Sequence, residues 1–329
     1  MKVLLSGYYG FENTGDEAIL LSITRELKNL GHQITVLSNT PALTSSQYGV
    51  KALGRMKPFD LLSALLSTDV LLSGGGGLLQ DKTSSRTLTY YLTLIRLAKF
   101  FGKRVAVFNQ SIGPLSASGE TRVAAGLRGV TAIVRDTASQ SLLERLGVKT
   151  QLGGDPALLL EAKVGISRDD NLVVIAPREG QREATTRLVE VAQRLRAHGK
   201  RVIALGFQPG WDDAELEPFK DVATLETTAD PSRALEIIAS AGAVIGVRLH
   251  AVILGAATHT PFYGVSYDPK VKGFCRDAGA LEVSTDFDVD ALTTAVLERR
   301  APDWNAVEEM RTRARDSFGW ALGKNRISG

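Results

Sequence analysis

The chain has 329 residues, which is enough for two domains of about 100–200 residues each. Hydrophobic residues make up 44% and charged residues 23%, and 39 basic side chains balance 36 acidic ones, so the composition is globular and excludes a strongly basic nucleic-acid binder. The single cysteine, Cys275, excludes an internal disulfide and favours a reducing compartment. The most apolar windows are interrupted by Asp69 or by Gly and Ser, and the first apolar run is too short for a signal peptide. We therefore expect a cytoplasmic protein.

In the first half of the chain, short apolar segments alternate with amphipathic segments of helix length. The predicted strands are, in order, "KVLLSGYY", "QITVLSN", "DVLLSGGGG", "RVAVFNQSIGP", "TAIVRDTAS" and "TQLGGDPALL". The helix candidates between them include "DEAILLSITRELKNLG", "RTLTYYLTLIRLAKFFG" and "SQSLLERLG". The last two end at a glycine that fits the C′ position of a helix. This alternation predicts a parallel sheet with helices on both faces.

The pattern starts again after the polar segment "EAKVGISRDD". The second series consists of "NLVVIAPR", "TTRLVEVAQRLRAHG", "RVIALGF", "SRALEIIASAG", "AVIGVRLHAVILGAATH" and "PFYGVSY". We predict an α/β protein of two Rossmann-like lobes with parallel sheets and an interlobe cleft. The predicted division is residues 1–165, residues 166–302, and a C-terminal helix in residues 303–329 that packs on the lobes. Ligands of such folds bind at the carboxyl ends of the strands.

The first strand-end loop reads "SGYYGFENTGDEA". It matches neither the dinucleotide-binding glycine pattern nor a P-loop. "TGDE" fits a capping box with Thr14 at N-cap and Glu17 at N3. The box leaves three polar residues unexplained, Glu12, Asn13 and Asp16. We assign them to the hydroxyl groups of a sugar acceptor, on the cleft wall of the first lobe, with Tyr8 or Tyr9 as an apolar face.

The loop "SGGGGLLQD" places four glycines between a strand and the next helix. A tight turn needs positive φ at one or two of them, whereas bare backbone amides at a helix start also suit a bound ligand. We favour close ligand approach, because four glycines exceed what a turn requires. Gly76, Gln80 and Asp81 are then predicted to face the acceptor.

Cationic residues follow several other strands. Arg248 and His250 end an apolar strand, Lys270 follows the next strand in "SYDPKVKGF", and Arg135 ends "TAIVRD". These cations suit a small polyanion, and an imidazole can titrate near neutral pH, although a structural role for His250 remains an alternative. Residues 177–178 and 207–213 also follow strands and have no assigned role. No metal-ligand spacing and no nucleophile elbow occurs, so we predict neither a metal nor a cofactor.

In the same order along the chain, several segments resemble the polysaccharide pyruvyl transferase family, most closely its CsaB type. They are "LLSGYYGFENTGDEAIL", "DVLLSGGGGLLQD", "NQSIGPL", "VRDTASQSLLERLGV", "GGDPAL" and "VRLHAVILGAATHTPFYGVSYDPKV". The resemblance implies a fold like GT-B glycosyltransferases. It also implies transfer of a pyruvyl group from phosphoenolpyruvate to a sugar as a 4,6-ketal, with release of phosphate.

The same resemblance implies an acceptor and a cellular role. The acceptor is an N-acetylmannosamine residue of a lipid-linked cell-wall polysaccharide precursor, which implies peripheral contact with the inner face of the membrane. The ketal later anchors surface-layer proteins. The sequence predicts no oligomeric state.

The family's phosphoenolpyruvate-binding Arg and Lys match Arg135 and Lys270, and its key His matches His250. We expect Arg248 to share the binding of this donor and His250 to act as the catalytic acid or base. The loop "LGFQPGWDD" departs from the family pattern. Two other functions remain open: a GT-B glycosyltransferase that uses a nucleotide sugar, and a non-enzymatic binding module for sugar or phosphate.

Overall fold

The computed structural model describes residues 1–82 and 85–323 and shows an α/β fold of two lobes, each built on a parallel sheet. By contacts the chain forms two compact units. Unit 1 contains Met1–Phe11, Ile19–Pro156 and the described residues from Met310 onward, and unit 2 contains Glu12–Ala18 and Ala157–Glu309. The predicted division at 165 and 302 places residues 12–18 in the first lobe, whereas by contacts they group with unit 2. Residues 324–329 of the predicted C-terminal segment lie outside the described residues.

Unit 1 is built on a seven-stranded sheet. Its strands are β1 (Lys2–Ser6), β2 (Gln33–Ser38), β3 (Lys51–Gly54), β4 (Val70–Gly74), β5 (Arg104–Gln110), β6 (Thr131–Val134) and β7 (Thr150–Leu152), in the spatial order β3-β2-β1-β4-β5-β6-β7. Every pairing is parallel, as predicted. The helices are α1 (Thr14–Asn29), α2 (Pro41–Tyr48), α3 (Pro58–Leu66), α4 (Ser85–Phe100), α5 (Ala117–Gly126) and α6 (Thr137–Arg145).

The core of unit 1 explains why its strands are apolar along their whole length. All five residues of β4 are buried, because helices cover both faces of a parallel sheet. Leu88, Leu92 and Ile95 of α4 recur at helical spacing and join the same buried cluster. The predicted helix ends are confirmed at Gly102 and Gly147, where φ is 66° and 73°.

Unit 2 is built on a six-stranded parallel sheet. Its strands are β8 (Asp169–Ala176), β9 (Arg201–Gly206), β10 (Thr224–Thr227), β11 (Ala241–Gly246), β12 (Phe262–Ser266) and β13 (Glu282–Ser284), in the order β10-β9-β8-β11-β12-β13. The helices are α7 (Arg182–Ala197), α8 (Asp213–Leu216), α9 (Pro231–Ala239), α10 (Leu249–Ala257), α11 (Pro269–Asp277) and α12 (Val289–Leu297). The last helix, α13 (Trp304–Leu322), begins in unit 2 and passes into unit 1 at Met310.

Each sheet has one point at which the strand order reverses. It lies between β1 and β4 in unit 1 and between β8 and β11 in unit 2. Ligands of open α/β sheets bind beside the carboxyl ends of the strands at this point. The two glycine-rich loops follow β1 and β4, and Arg178 and Arg248 follow β8 and β11. Within the described residues, no helix has the length and apolar character needed to span a bilayer.

Candidate functional site

In unit 2, Arg248 is held by a buried carboxylate that the sequence interpretation missed. The Nε and Nη2 atoms of Arg248 both donate to Asp212, which is fully buried. Asp212 also accepts the backbone N–H groups of Glu179, Phe207 and Gln208 at 3.2, 2.9 and 3.1 Å. One carboxylate therefore ties the strand ends of β8, β9 and β11 together. Arg248 is engaged in a bidentate pair, so its first role is to organise this edge of the sheet.

Arg178, which follows β8, is the cation at this edge that forms no ion pair with any described residue. Its guanidinium lies 4.5 Å from the centroid of the Tyr267 ring, in cation–π contact. Burial lowers the pKa of Arg178, and the charge of Arg248 lowers it further, whereas Asp268, Asp212 and Glu179 oppose the shift. A half-buried guanidinium beside a second one favours an anionic ligand. Its position directly after a strand was the available signal in the sequence.

His250 lies in the first turn of α10, directly against the start of α1. A Cβ atom added to Gly15 would stand 2.1 Å from Nδ1 and 2.6 Å from Cγ of the imidazole. Only glycine therefore permits this approach. Gly15 and His250 both belong to unit 2 by contacts, and His250 is partly buried.

Lys270 lies in the first turn of α11, after the neighbouring strand β12. Asp268 caps this helix by accepting the backbone N–H of Lys270 at 2.8 Å. Because β8, β11 and β12 are neighbours in the sheet, their carboxyl ends bring Arg178, His250 and Lys270 to one edge.

The start of α1 differs from the predicted capping box. Asn13, not Thr14, is the cap: its Oδ1 accepts the backbone N–H groups of Gly15 and Asp16 at 3.0 and 3.4 Å. The polar groups of Thr14 bond elsewhere: its hydroxyl donates to the carbonyl of Thr228 and its N–H to the carbonyl of Phe207. Through these bonds residues 12–18 contact unit 2, with which they group by contacts.

The other two acceptor candidates, Glu12 and Asp16, lie before and after the cap residue Asn13. Glu12 is exposed and adopts a left-handed φ of 57°, a conformation that costs a non-glycine residue about 1–2 kcal/mol. Asp16 is partly buried in the first turn of α1. Their assignment to acceptor binding stays a prediction, as does that of Asn13, whose Oδ1 is occupied by the cap.

Arg135 lies at the end of β6 in unit 1 and is largely engaged inside the protein. Its Nη1 donates to Asp155 at 2.6 Å and its Nε to the hydroxyl of Ser111 at 2.8 Å, with Arg135 and Asp155 both buried. Ser111 in turn donates to Asp136, the N-cap of α6. This pair compensates the charge of Arg135, and donor binding by Arg135 stays a prediction from the family resemblance.

The backbone conformation of the loop after β4 requires two of its four glycines. Gly75 and Gly76 adopt φ values of 81° and 73°, which favour glycine. A Cβ atom on Gly75 would also stand 2.4 Å from Ile19. The turn alone thus accounts for two of the four glycines, and a ligand at Gly76 stays a prediction.

Asp81, at the end of this loop, joins it to α5. Its carboxylate accepts the hydroxyl and the backbone N–H of Ser116, the N-cap residue of α5, at 2.5 and 2.8 Å. These hydrogen bonds hold the pKa of Asp81 below its ordinary value. Gln80 is partly buried beside it. Acceptor contacts by Gln80 and Asp81 stay predictions.

An aromatic group lies at the same edge of the unit 1 sheet. Tyr8 and Phe11 stack with centroids 4.0 Å apart, and the Arg55 guanidinium lies 5.1 Å from the Phe11 ring and 4.8 Å from the Tyr90 ring. Of the two predicted aromatic faces, Tyr8 is exposed, whereas Tyr9 is buried and donates to the carbonyl of Gly74. Arg55 was missed, because nothing in the sequence shows that the end of β3 lies near these rings.

A surface cavity of about 610 Å³ lies elsewhere in unit 2, at the starts of β9 and β10. Arg196, Lys200 and Lys220 are among its lining residues, but none of the predicted site residues is. It opens at the amino ends of these strands, away from the edge that carries Arg178 and His250. Across the described residues, no group of three or more His, Cys, Asp or Glu side chains is placed to hold a metal ion.

Comparison with protein families gives a match over most of the chain. The model described as "Polysaccharide pyruvyl transferase" matches residues 13–269, which include the β4 loop, Arg135, Arg178, Arg248 and His250 and end one residue before Lys270. The comparison with curated proteins gives no match.

Solved structures resemble the fold over nearly the whole chain at low identity. The UDP-GlcNAc 2-epimerase of Methanocaldococcus jannaschii is 11% identical with a TM-score of 0.61, covering 94% of this chain and 98% of its own. A glycosyltransferase from Rickettsia africae ESF-5 is 12% identical with a TM-score of 0.58, covering 98% and 96%. The UDP-N-acetylglucosamine 2-epimerase of Rickettsia bellii is 12% identical with a TM-score of 0.61, also covering 98% and 96%. These similarities establish a two-lobed fold of the GT-B type.

Proposed function

Because the chain belongs to the polysaccharide pyruvyl transferase family, we propose that it moves a pyruvyl group from phosphoenolpyruvate to a saccharide and releases phosphate. The observation that carries the proposal is the edge of the unit 2 sheet. There, Arg178, Lys270 and the imidazole of His250 follow neighbouring strands around the Arg248–Asp212 pair.

The donor is a small polyanion, and the charges of this edge match it. Phosphoenolpyruvate carries a carboxylate and a phosphate whose second pKa is about 6, so it has about three negative charges at neutral pH. Arg178 can supply a planar fork for one oxyanion group, and Lys270 a point charge for the other. Arg248 acts through Asp212 and positions the loops, so we rank Arg178 above it as a donor ligand.

The reaction requires proton transfers at each bond change around C2 and C3 of the donor. C3 gains a proton, while a sugar hydroxyl oxygen bonds to C2 and loses its proton. The C2–O bond to phosphate then breaks, and the second sugar hydroxyl oxygen bonds to C2, closes the ketal and loses its proton, which the departing phosphate takes up. We assign one of these proton transfers to His250, a contribution of about 10²–10⁴-fold in rate.

The acceptor proposal rests on the family resemblance. The proposed acceptor is the N-acetylmannosamine residue of a lipid-linked cell-wall polysaccharide precursor. The product is a 4,6-ketal, made in the cytoplasm, that later anchors surface-layer proteins. Exposed Tyr8 supports a sugar at the unit 1 edge, because amphipathic aromatic rings pack well on sugar faces.

The test is incubation with phosphoenolpyruvate and a panel of lipid-linked or aryl-tagged aminosugars. Mass spectrometry should detect one added pyruvate ketal, together with an equal amount of released phosphate. We expect His250→Ala to lose at least about 10²-fold in kcat, because it removes the acid or base. The matched control is His198→Ala, since His198 is exposed at the end of α7 and bonds only locally to Arg194.

A nucleotide-sugar reaction is the competing outcome. Calorimetric titration with phosphoenolpyruvate and with UDP separates the two, and tight binding of UDP without binding of phosphoenolpyruvate would contradict pyruvyl transfer. Full activity of His250→Ala would show that His250 takes no part in the proton transfers, but it would not contradict pyruvyl transfer.

A further inference from the structure

Helix α3 in unit 1 turns a stripe of large apolar side chains to solvent. Phe59, Leu62 and Leu66 are 88%, 44% and 56% exposed, and Met56 just before the helix is 73% exposed. Their spacing of three and four residues places them on one face. The opposite face, with Ala64 and Leu65, is buried in the core. The helix is therefore apolar on both sides, unlike an ordinary surface helix.

Helix α4 extends this surface. The hydroxyl of Tyr90 donates to the carbonyl of Arg55 at 3.0 Å at one end, and Nζ of Lys103 donates to the carbonyl of Leu66 at 3.1 Å at the other. The segment just before α3 thus contacts α4, the segment just after α4 contacts the end of α3, and α4 adds Phe100, which is 82% exposed. We call Met56, Phe59, Leu62, Leu66 and Phe100 the α3/α4 patch. It holds five of the twelve exposed large hydrophobic side chains among the described residues.

The charged side chains around the α3/α4 patch are mostly cationic. Residues 51–66 and 86–104 contain eight Lys and Arg residues and one carboxylate, Asp60, although the whole chain is nearly balanced at 39 to 36. Asp60 faces inward, where it accepts the N–H of Gly54 at 3.0 Å. In the described part of the chain, seven of these cations form no ion pair: Lys51, Arg55, Lys57, Arg96, Lys99, Lys103 and Arg104.

We propose that the α3/α4 patch binds the surface of an anionic lipid bilayer. An in-plane helix with aromatic and aliphatic residues on one face and Lys or Arg around it has the chemistry of interfacial membrane binding. A contiguous exposed apolar surface indicates a contact that covers it. Cations that form no ion pair favour a negatively charged leaflet.

The same charges argue against a second copy of the chain as the partner. A two-fold contact through this face would set each patch against its own equivalent and bring like charges together. An anionic bilayer has the opposite sign. The inference does not depend on pyruvyl transfer, since it concerns only the outer face of α3 and α4.

One end of the α3/α4 patch lies at the carboxyl edge of the unit 1 sheet. Met56 and Phe59 lie just after β3, at the carboxyl edge of the unit 1 sheet, where the loops after β1 and β4 also begin. Binding through the α3/α4 patch would bring that edge close to the lipid headgroups. A substrate held in the bilayer by a lipid would thus reach it without leaving the membrane.

The test is co-sedimentation of the full chain with vesicles of phosphatidylcholine alone and of phosphatidylcholine mixed with phosphatidylglycerol. We expect binding to the mixed vesicles that weakens as salt is raised. The double variant Phe59→Ser/Phe100→Ser should bind at least about tenfold more weakly, because two fully exposed rings no longer enter the interface. Lys57→Glu/Arg96→Glu should lose the preference for phosphatidylglycerol.

The control is Leu43→Ser/Val164→Ser, which changes two exposed apolar residues outside the patch and should bind like the wild type. Thermal unfolding should be unchanged in all variants, since the substituted side chains are exposed. Equal loss of binding in the control, or no wild-type binding to either vesicle, would overturn the proposal. So would a dimer seen by light scattering that the Phe variant abolishes, because the patch would then be a protein interface. None of these assays uses a substrate, so their failure leaves the proposed reaction untouched.

Discussion

At the scale of single residues, the structure changes which arginine is the strongest candidate for binding the donor. Arg248 and Arg135 were both expected to bind the donor, but each is paired with a buried aspartate, Asp212 or Asp155. Buried charges need such partners, and removing one partner typically costs about 3–5 kcal/mol. Arg178 has no such partner among the described residues, which makes it the stronger candidate for a ligand.

Gly15 offers a direct test of the placement of His250. Gly15→Ala should displace the imidazole, because the new methyl group would overlap Nδ1. We expect kcat to fall by about 10²-fold, the usual effect of moving a catalytic group by about 1 Å, with a smaller change in KM for phosphoenolpyruvate. Steady-state kinetics on the purified variant measure both.

The control for this variant is Gly273→Ala in α11, where an added Cβ meets nothing within 4 Å. It should keep its activity and gain up to about 1 kcal/mol in unfolding free energy, as expected for alanine in a helix. Unchanged turnover in Gly15→Ala would show that the reaction tolerates a displaced His250.

At the scale of secondary structure elements, local patterns predicted six of the seven strands of unit 1 and four of the six strands of unit 2, and they missed the short strands β3, β10 and β13. Apolar runs and C′ glycines gave the elements and their ends, because periodicity and backbone freedom are local properties. The predicted N-cap of α1 was wrong by one residue, because Asn13 and not Thr14 is the cap. Thr14 and Asn13 are both good caps, and a tertiary bond from Thr14 to Thr228 decides between them.

The cap predicts different effects for two substitutions of Asn13. Asn13→Ala should lower the free energy of unfolding by about 1 kcal/mol, whereas Asn13→Ser should retain most of it, since serine also caps. The midpoint of urea unfolding gives both values. Asn305→Ala, at an exposed helical position in α13, should be neutral or slightly stabilising.

The same pair of variants tests the predicted contact of Asn13 with the acceptor. A cap alone leaves the acceptor KM of Asn13→Ser near that of the wild type. A raised KM with unchanged stability would instead support the contact.

At the scale of the whole molecule, two buried groups predict loss of stability in alkali. Burial raises the pKa of the Cys275 thiol from 9.0 to about 12, and that of the Tyr263 hydroxyl from 10.0 to about 12. Both groups are neutral when protonated, so the folded state holds their protons more tightly than the unfolded state. Their contribution is complete below about pH 9 and is lost as the pH rises toward 12.

Cys275→Ala isolates the first of these groups. The free energy of unfolding of the wild type should fall by up to about 1.4 kcal/mol per pH unit more steeply than that of the variant between about pH 9 and 10. Urea unfolding at a series of pH values measures the two slopes. Parallel curves would show that the thiol does not titrate differently on unfolding.

Local sequence patterns are sufficient to predict the alternation of strands and helices and hence the two parallel sheets, and they indicate the strand ends as the position of the candidate site residues. It also carried the family resemblance, through motifs spread along the chain. These features are readable because each depends on neighbouring residues.

Which strand ends become neighbours depends on the arrangement of the whole sheet and is seen only in the folded chain. The reversal of strand order between β8 and β11 brings Arg178 beside Arg248, and a loop after β9 supplies Asp212, which pairs with Arg248. Likewise, hydrogen bonds of Thr14 place Gly15 against His250, although 235 positions separate them in the chain. Such contacts depend on the order in which crossovers place the strands, and no local pattern specifies that order.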